Sequence, residues 1–229
     1  MKTMKLTYPQ LFSKLAVYCA GLMTMAFGIT FSIRSDLGIS PVSSLPYAMG
    51  RVTGINMGTF VTLFFILYIL LQLLLLRKDF KWVDLSQILF SFLFGYFVDF
   101  SNGVLADFSI PTYGGQLLML IISIFLISFG LTLYIKAKLV VLPPEGVVLA
   151  ITRLLPQGKF SRVKMSFDCI LVAIAILLTF TFLGSVEGVR EGTILSAILI
   201  GRLVPFNTRL ADGALGRLGY YRLNPSNIH

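Results

Sequence analysis

Long uncharged apolar stretches, separated by short charged punctuation, set the rhythm of this chain. Met57–Leu76 runs for 20 residues without a charge, and at about 1.5 Å per residue it covers roughly 30 Å, the hydrocarbon thickness of a bilayer. Stretches of similar character at 11–33, 85–105, 116–135, 165–183 and 192–210 are predicted to cross as well. Two further apolar segments are too short to cross. Leu37–Gly50 contains Pro41 and Pro46, and Leu139–Leu155 carries Pro143, Pro144 and Glu145 at its centre. The pattern predicts an all-α polytopic membrane protein with six transmembrane helices and two short re-entrant half-helices.

The same pattern is written twice. A displacement of 102 positions superposes Phe27, Gly28, Thr30, Ile33, Leu37, Pro41, Ala48 and Arg51 on identical residues at 129, 130, 132, 135, 139, 143, 150 and 153. A displacement of 106 pairs Val83, Ile88, Leu89, Leu93, Gly95, Val98 and Phe100 with identical residues from Val189 to Phe206. Shared apolar composition yields chance matches, but not a Gly, a Pro and an Arg in register. Such self-similarity fixes the architecture before finer assignments are made. We expect a first repeat over 1–110 with its re-entrant segment at 37–50, and a second over 111–212 with its re-entrant segment at 139–155. A basic tail, 213–229, lies on the membrane surface. Three crossings per repeat would orient the two copies oppositely. Paired Gly/Pro-broken segments in an inverted repeat are the sequence pointer to a transport site.

Composition and charge agree with this picture. Of 229 residues 56% are hydrophobic and 13% charged, with 20 Phe, which is membrane-protein usage. The net charge of +9 is spread between the apolar segments, so membrane topology accounts for it and nucleic acid is not an expected partner. With six crossings, sixteen of the nineteen Lys and Arg fall on one side, and only Arg34, Arg51 and Arg190 on the other. That is a steep positive-inside bias, with both termini cytoplasmic. Were 139–155 to cross, Lys136 and Lys138 would oppose Lys159, Arg162 and Lys164 and the bias would shrink. A cleaved leader competes for the first segment, but no A-x-A site follows it and Tyr18 before Cys19 does not suit a lipoprotein signal. Cys19 and Cys169 sit in apolar runs and read as packing residues, and the only histidine is His229. Neither a metal site nor a cofactor is expected. No GxxxxGK[ST], HExxH or GxSxG occurs, which disfavours ATP-driven transport within this chain and hydrolase chemistry.

The run Asp36-Leu37-Gly38-Ile39-Ser40-Pro41, its echo Leu142-Pro143-Pro144-Glu145-Gly146 and the six-span layout resemble the YczE/YyaS/YitT-type bacterial integral membrane proteins, nearest the YczE branch. The resemblance covers nearly the whole chain. It implies a multi-pass protein of the bacterial plasma membrane and carries no substrate or catalytic residue with it.

Candidate chemistry gathers in the broken segments. Ser40-Pro41 reads as a helix start, Ser at the N-cap and Pro at the first helical position, with the half-helix ending near Gly50–Gly54. Its N-terminus at membrane depth would offer backbone N–H groups and a positive dipole end to a carboxylate, phosphate or carbonyl oxygen, with Ser43 and Ser44 adding hydroxyls. A structural Pro-kinked hairpin is the plain alternative. In the second copy Glu145 stands at the position of Ser43, where it holds a proton or cation for coupling or caps its own helix. Ionisable residues within the spans are the other candidates. Asp99 has Arg34 or Arg51 as potential counter-charges. Asp168 has Arg202, or Lys164 one turn before it as a local helix pair. Repeat positions that differ, Ser43/Glu145, Tyr96/Arg202 and Asp99/Pro205, are the site candidates, since a substrate with two unlike ends needs unlike residues. Gly28/Gly130 and Gly95/Gly201 are expected to let helices approach closely.

These features predict a permease, secondary transporter or channel-like, for a small polar solute, an anion among the candidates. Movement of a lipid-linked or amphiphilic product and a non-transporting membrane scaffold are the alternatives, and an enzyme is disfavoured. The bilayer is the expected partner, and a homo-oligomer is compatible with the sequence.

Overall fold

The computed structural model describes residues 8–80, 82–106, 108–155 and 159–224. Lys2, Lys5 and Lys81, three of the sixteen basic residues assigned to one side, and His229 lie outside the described residues. Among the described residues every regular element is helical. In chain order these are α1 (Tyr8–Ser35), α2 (Pro41–Thr53), α3 (Met57–Leu76), α4 (Ser86–Val104), α5 (Tyr113–Ala137), α6 (Pro143–Leu154), α7 (Phe160–Leu183), α8 (Glu191–Arg217) and the short α9 (Tyr220–Leu223), with two 3₁₀ turns between α3 and α4.

Five helices, α1, α3, α5, α7 and α8, are long and apolar enough to cross a membrane, so the chain is a multi-pass helix bundle. α4, the sixth expected crossing, is a 19-residue helix that is not among those five. The reason is visible in its inner face. Gln87, Ser91 and Ser101 are buried and spend their polar atoms inside the bundle: Ser101 shares a 2.7 Å hydrogen bond with Thr30 of α1, and Gln87 exchanges amide hydrogen bonds with Gln72 of α3.

The repeat reappears in the backbone. α1 ends at Ser35 and α5 at Ala137, then Asp36 (φ 54°) and Lys138 (φ 49°) turn the chain in the left-handed region. Non-glycine residues rarely adopt that conformation, and these two are related by the 102-residue displacement. Six residues on from each helix end, Pro41 and Pro143 open α2 and α6. A ring-fixed φ suits the first helical position, where the missing N–H is not needed. α2 closes on Gly54 in the left-handed region, whose N–H donates to the Gly50 carbonyl, a glycine helix stop. With 13 and 12 residues, the two are about 20 Å long or less, too short to cross.

α1 and α5 form the central pair. Their backbones meet at glycines: a Cβ at Gly21 would lie 2.8 Å from the Gly130 carbonyl oxygen, and one at Gly28 would lie 2.8 Å from the Ile127 nitrogen. α4 packs on α1 as α8 packs on α5. α2 packs on α7 as α6 packs on α3, so each short helix leans on a long helix of the other half. One pair has no counterpart: α3 and α4 pack closely, whereas α7 and α8 do not.

The C-terminal region differs from the expected surface tail. α8 continues past residue 212 to Arg217, and α9 folds back on the bundle. Tyr220 is buried and donates to the Lys136 carbonyl, Asn224 donates to the Ser13 hydroxyl, and Tyr221 donates to Asp212, itself paired with Lys136 at 2.7 Å. Burial, and next the bond to Asp212, push the Tyr221 phenol up, so it remains a neutral donor. Aromatic surface and satisfied hydroxyls hold this segment to the helix ends more firmly than basic charge alone.

Candidate functional site

The turns preceding α2 and α6 are held by hydrogen bonds that neither short helix could make alone. Before α2, the Ile39 N–H donates to Gly188, the Leu37 carbonyl accepts from Gly192, and Ser32 donates to the Gly38 carbonyl. At α6, Gln72 of α3 donates to the Pro143 carbonyl at 3.2 Å. The two N-termini so fixed open onto one shared space. A cavity of about 390 Å³ is lined by Ser40 and Ser43 at the start of α2, Glu145 in the first turn of α6, Lys164 and Asp168 of α7, and Ser196 of α8. The rest of its wall is apolar, with Met25, Phe65, Phe94 and Ile127 among its residues. That size and mixture are those of a small-molecule site.

Its polar groups are unevenly satisfied. Ser40 does not cap α2 through its side chain; its carbonyl accepts from the Ser43 N–H at 2.9 Å and its hydroxyl donates to the Ser43 hydroxyl at 3.1 Å. Ser44 turns away and donates to the Pro41 carbonyl. Lys164 and Asp168 form a 2.5 Å ion pair one helical turn apart. Among the described residues, Glu145 Oε2 and the hydroxyl of fully buried Ser196 have no hydrogen-bond partner. A buried polar atom left in that state costs about 1–3 kcal/mol. The lining side chains thus carry two carboxylates against one ammonium, and the ammonium is already engaged. A second cavity, about 400 Å³, runs past Tyr134, Lys138 and Leu149 and shares Ile135, Glu145 and Phe160 with the first. Those three side chains therefore form the wall between the two spaces.

Several expected partnerships are not made. Asp99 pairs with neither Arg34 nor Arg51. It accepts from the Gly58 N–H at 2.7 Å, satisfying a free donor in the first turn of α3, and it does not line the cavity. Arg51 instead meets Glu187 at 2.5 Å, tying the end of α2 to the α7–α8 loop. Arg34 keeps its Nε buried without a hydrogen-bond partner, away from the cavity lining. Asp168 takes the local partner Lys164 rather than Arg202, because α7 and α8 stand apart. Arg202 and its repeat counterpart Tyr96 both face outward, so their difference lies on the bundle exterior. Of the glycines, Gly28, Gly95 and Gly130 sit at close helix contacts, but Gly201 faces open space.

Of the sequence candidates, Ser40, Ser43, Glu145 and Asp168 come together. Lys164 and Ser196 join them without having been candidates, and Gln72 holds the start of α6 from outside the lining. For Lys164 a signal existed, its spacing from Asp168. Ser196 and Gln72 are ordinary polar residues in apolar helices, and only packing gives them a place.

The chain belongs to the family described as a family of unknown function (DUF6198), whose model matches residues 12–209. It is similar to the uncharacterized membrane protein YczE of Bacillus subtilis (strain 168), 27% identical over 83% of each chain. It is also similar to the uncharacterized protein YyaS of the same organism, 25% identical over 83% of this chain and 90% of the relative. No solved structure matches it.

Proposed function

We propose that this member of the family is a membrane permease that binds a small solute between the N-termini of its two short helices. In this reading α4 is the sixth crossing, α2 and α6 are re-entrant, and the two halves lie in opposite orientation in a bacterial plasma membrane. Both termini are then cytoplasmic. The observation that carries the reading is the convergence of both proline-started helices, one from each half, on a single 390 Å³ cavity. Matching turns at Asp36 and Lys138 and the crossed packing of α2 on α7 and α6 on α3 support it further.

The two helix starts differ in charge, and that difference suggests the solute. α2 has no acid in its first turn, so its positive dipole end, with the Ser40 and Ser43 hydroxyls, suits a carboxylate or other oxyanion. α6 carries Glu145 there, which suits an amine. A solute with an amine, zwitterions included, fits both ends better than a simple anion, since the arginines that would have received an anion lie elsewhere.

The test is thermal unfolding of the purified protein against a panel of metabolites. An amine-bearing compound is expected to raise the midpoint, Glu145→Gln to abolish the shift, and Arg202→Ala to leave it intact. If no compound stabilises the protein and liposomes containing it move no labelled amine or zwitterion, the permease reading fails and a scaffold role replaces it.

A further inference from the structure

The central cavity has one wall that the bundle does not close. On α8, Ala197 and Gly201 stand one turn apart; both line the cavity and both are exposed on the outside of the bundle. Across from them on α7, Phe160 is likewise a lining residue with an exposed side chain. Nothing lies within 4 Å of the point where a Gly201 Cβ would be, and α7 and α8 are not packed together. Exposed apolar side chains, among them Ile194 and Ile198 of α8 and Ile170, Ile174 and Leu177 of α7, cover the outer faces of the two helices, and exposed Arg202 stands next to Gly201. In a crossing pair of helices such a face looks at lipid rather than water.

We infer that the gap between α7 and α8 is a lateral portal to the bilayer, and that the solute is a single-chain amphiphile with an amine in its head. This rests on the reading of the cavity as a solute site. The interior has the matching polarity. Glu145 and the unpartnered Ser196 hydroxyl offer acceptors to an ammonium head, and Ile29, Phe94, Ile127 and Leu131 give an alkyl chain apolar contact. Ser196 immediately precedes Ala197, so a head entering between the helices meets this hydroxyl at the threshold. Leaving the bilayer sideways, the chain never crosses water, and only the head exchanges its surroundings. Small residues four apart on a membrane helix also suit contact with a second helix. A second copy docked through α8 is therefore the competing occupant.

The full-length protein in phosphatidylcholine liposomes is photolabelled with dodecylamine carrying a diazirine in its chain, and the labelled peptides are mapped. Labels are expected on cavity residues such as Phe94 and Ile127 as well as on α8. Gly201→Phe, which places a ring in open space, and Ala197→Phe are expected to abolish the cavity labels. Both variants should unfold at the midpoint of the unaltered protein, so that lost labels report entry and not folding. Labels confined to the lipid-facing Ile170, Ile174 and Leu177 overturn the portal, as does α8-to-α8 cross-linking between two copies. Where a short water-soluble amine stabilises the protein but the long one does not enter, the portal fails and the permease reading stands. If neither amine binds, both fall.

Discussion

The α3–α4 and α7–α8 pairs occupy corresponding places in the two halves, and one is closed where the other is open. In the closed pair, Gly58 and Gly95 bring backbone against backbone. Thr62 donates across to the Ser91 carbonyl at 3.4 Å, and Asp99 reaches across to the Gly58 N–H. The repeat displacements carry Gly58 onto Phe160, Thr62 onto Lys164, Gly95 onto Gly201 and Asp99 onto Pro205. Three of the four closing elements are thereby removed, and the glycine that remains has no opposite backbone to meet. What fills the vacated place in the second half is the cavity, with Phe160, Lys164 and Gly201 in its wall. A helix seam in lipid depends on close backbone approach and interhelical hydrogen bonds, because the lipid is as apolar as the side chains. Without the Gly58 contact, the Thr62 hydroxyl and the Asp99 cap, the second seam lacks what holds the first.

The sharpest way to break this comparison is to place the same side chain at the two corresponding glycines. Gly95→Leu must drive atoms into the Gly58 carbonyl and the Thr62 hydroxyl, and should destabilise by about 3 kcal/mol or more. Gly201→Leu projects into open space and should change stability by less than about 0.5 kcal/mol. Equal losses in the thermal unfolding midpoint in detergent would show that the second seam is closed as well. Next in size is Asp99→Ala, which leaves the Gly58 N–H without an acceptor. An expected loss of about 1–2 kcal/mol should be largely recovered by Asp99→Asn, whose amide oxygen still accepts, and a neutral alanine variant would remove Asp99 from the seam. Smallest is the outer tie between Arg51 and Glu187. Its partners are 54% and 27% exposed, so Arg51→Ala should cost under about 1 kcal/mol. A larger drop in the same assay would make this pair a principal fastening of α2.

The fold was more legible than the site, for a physical reason. Prolines at 41 and 143 start helices wherever the fold places them, and Gly54 stops one, so the ends of α2 and α6 follow from local backbone chemistry. Apolar runs of bilayer length with few charges mark α1, α3, α5, α7 and α8 independently of their neighbours. Charge alone names a need for a partner and not which partner lies in reach, so the places of Asp99, Arg51 and Arg202 were not legible. Asp99 found an N–H, Arg51 found Glu187, and Arg202 turned outward. The asymmetry argument marked Ser43/Glu145 and Tyr96/Arg202 as equally different, yet only the first pair lies on an inner face.

The sequence by itself determined that this chain is a polytopic membrane bundle, and where its short helices begin. Apolar run length and the conformational limits of Pro and Gly act within a few residues, and a linear reading captures them. The tertiary structure alone decided that both short helices point at one cavity, that Glu145 and Ser196 face it without partners, and that its wall opens between α7 and α8. Those outcomes depend on whether backbones tens of residues apart can come within contact distance. That is settled by the volume and hydrogen bonding of side chains on two helices at once, such as Gly58 with Gly95 in one seam and Phe160 with Gly201 in the other.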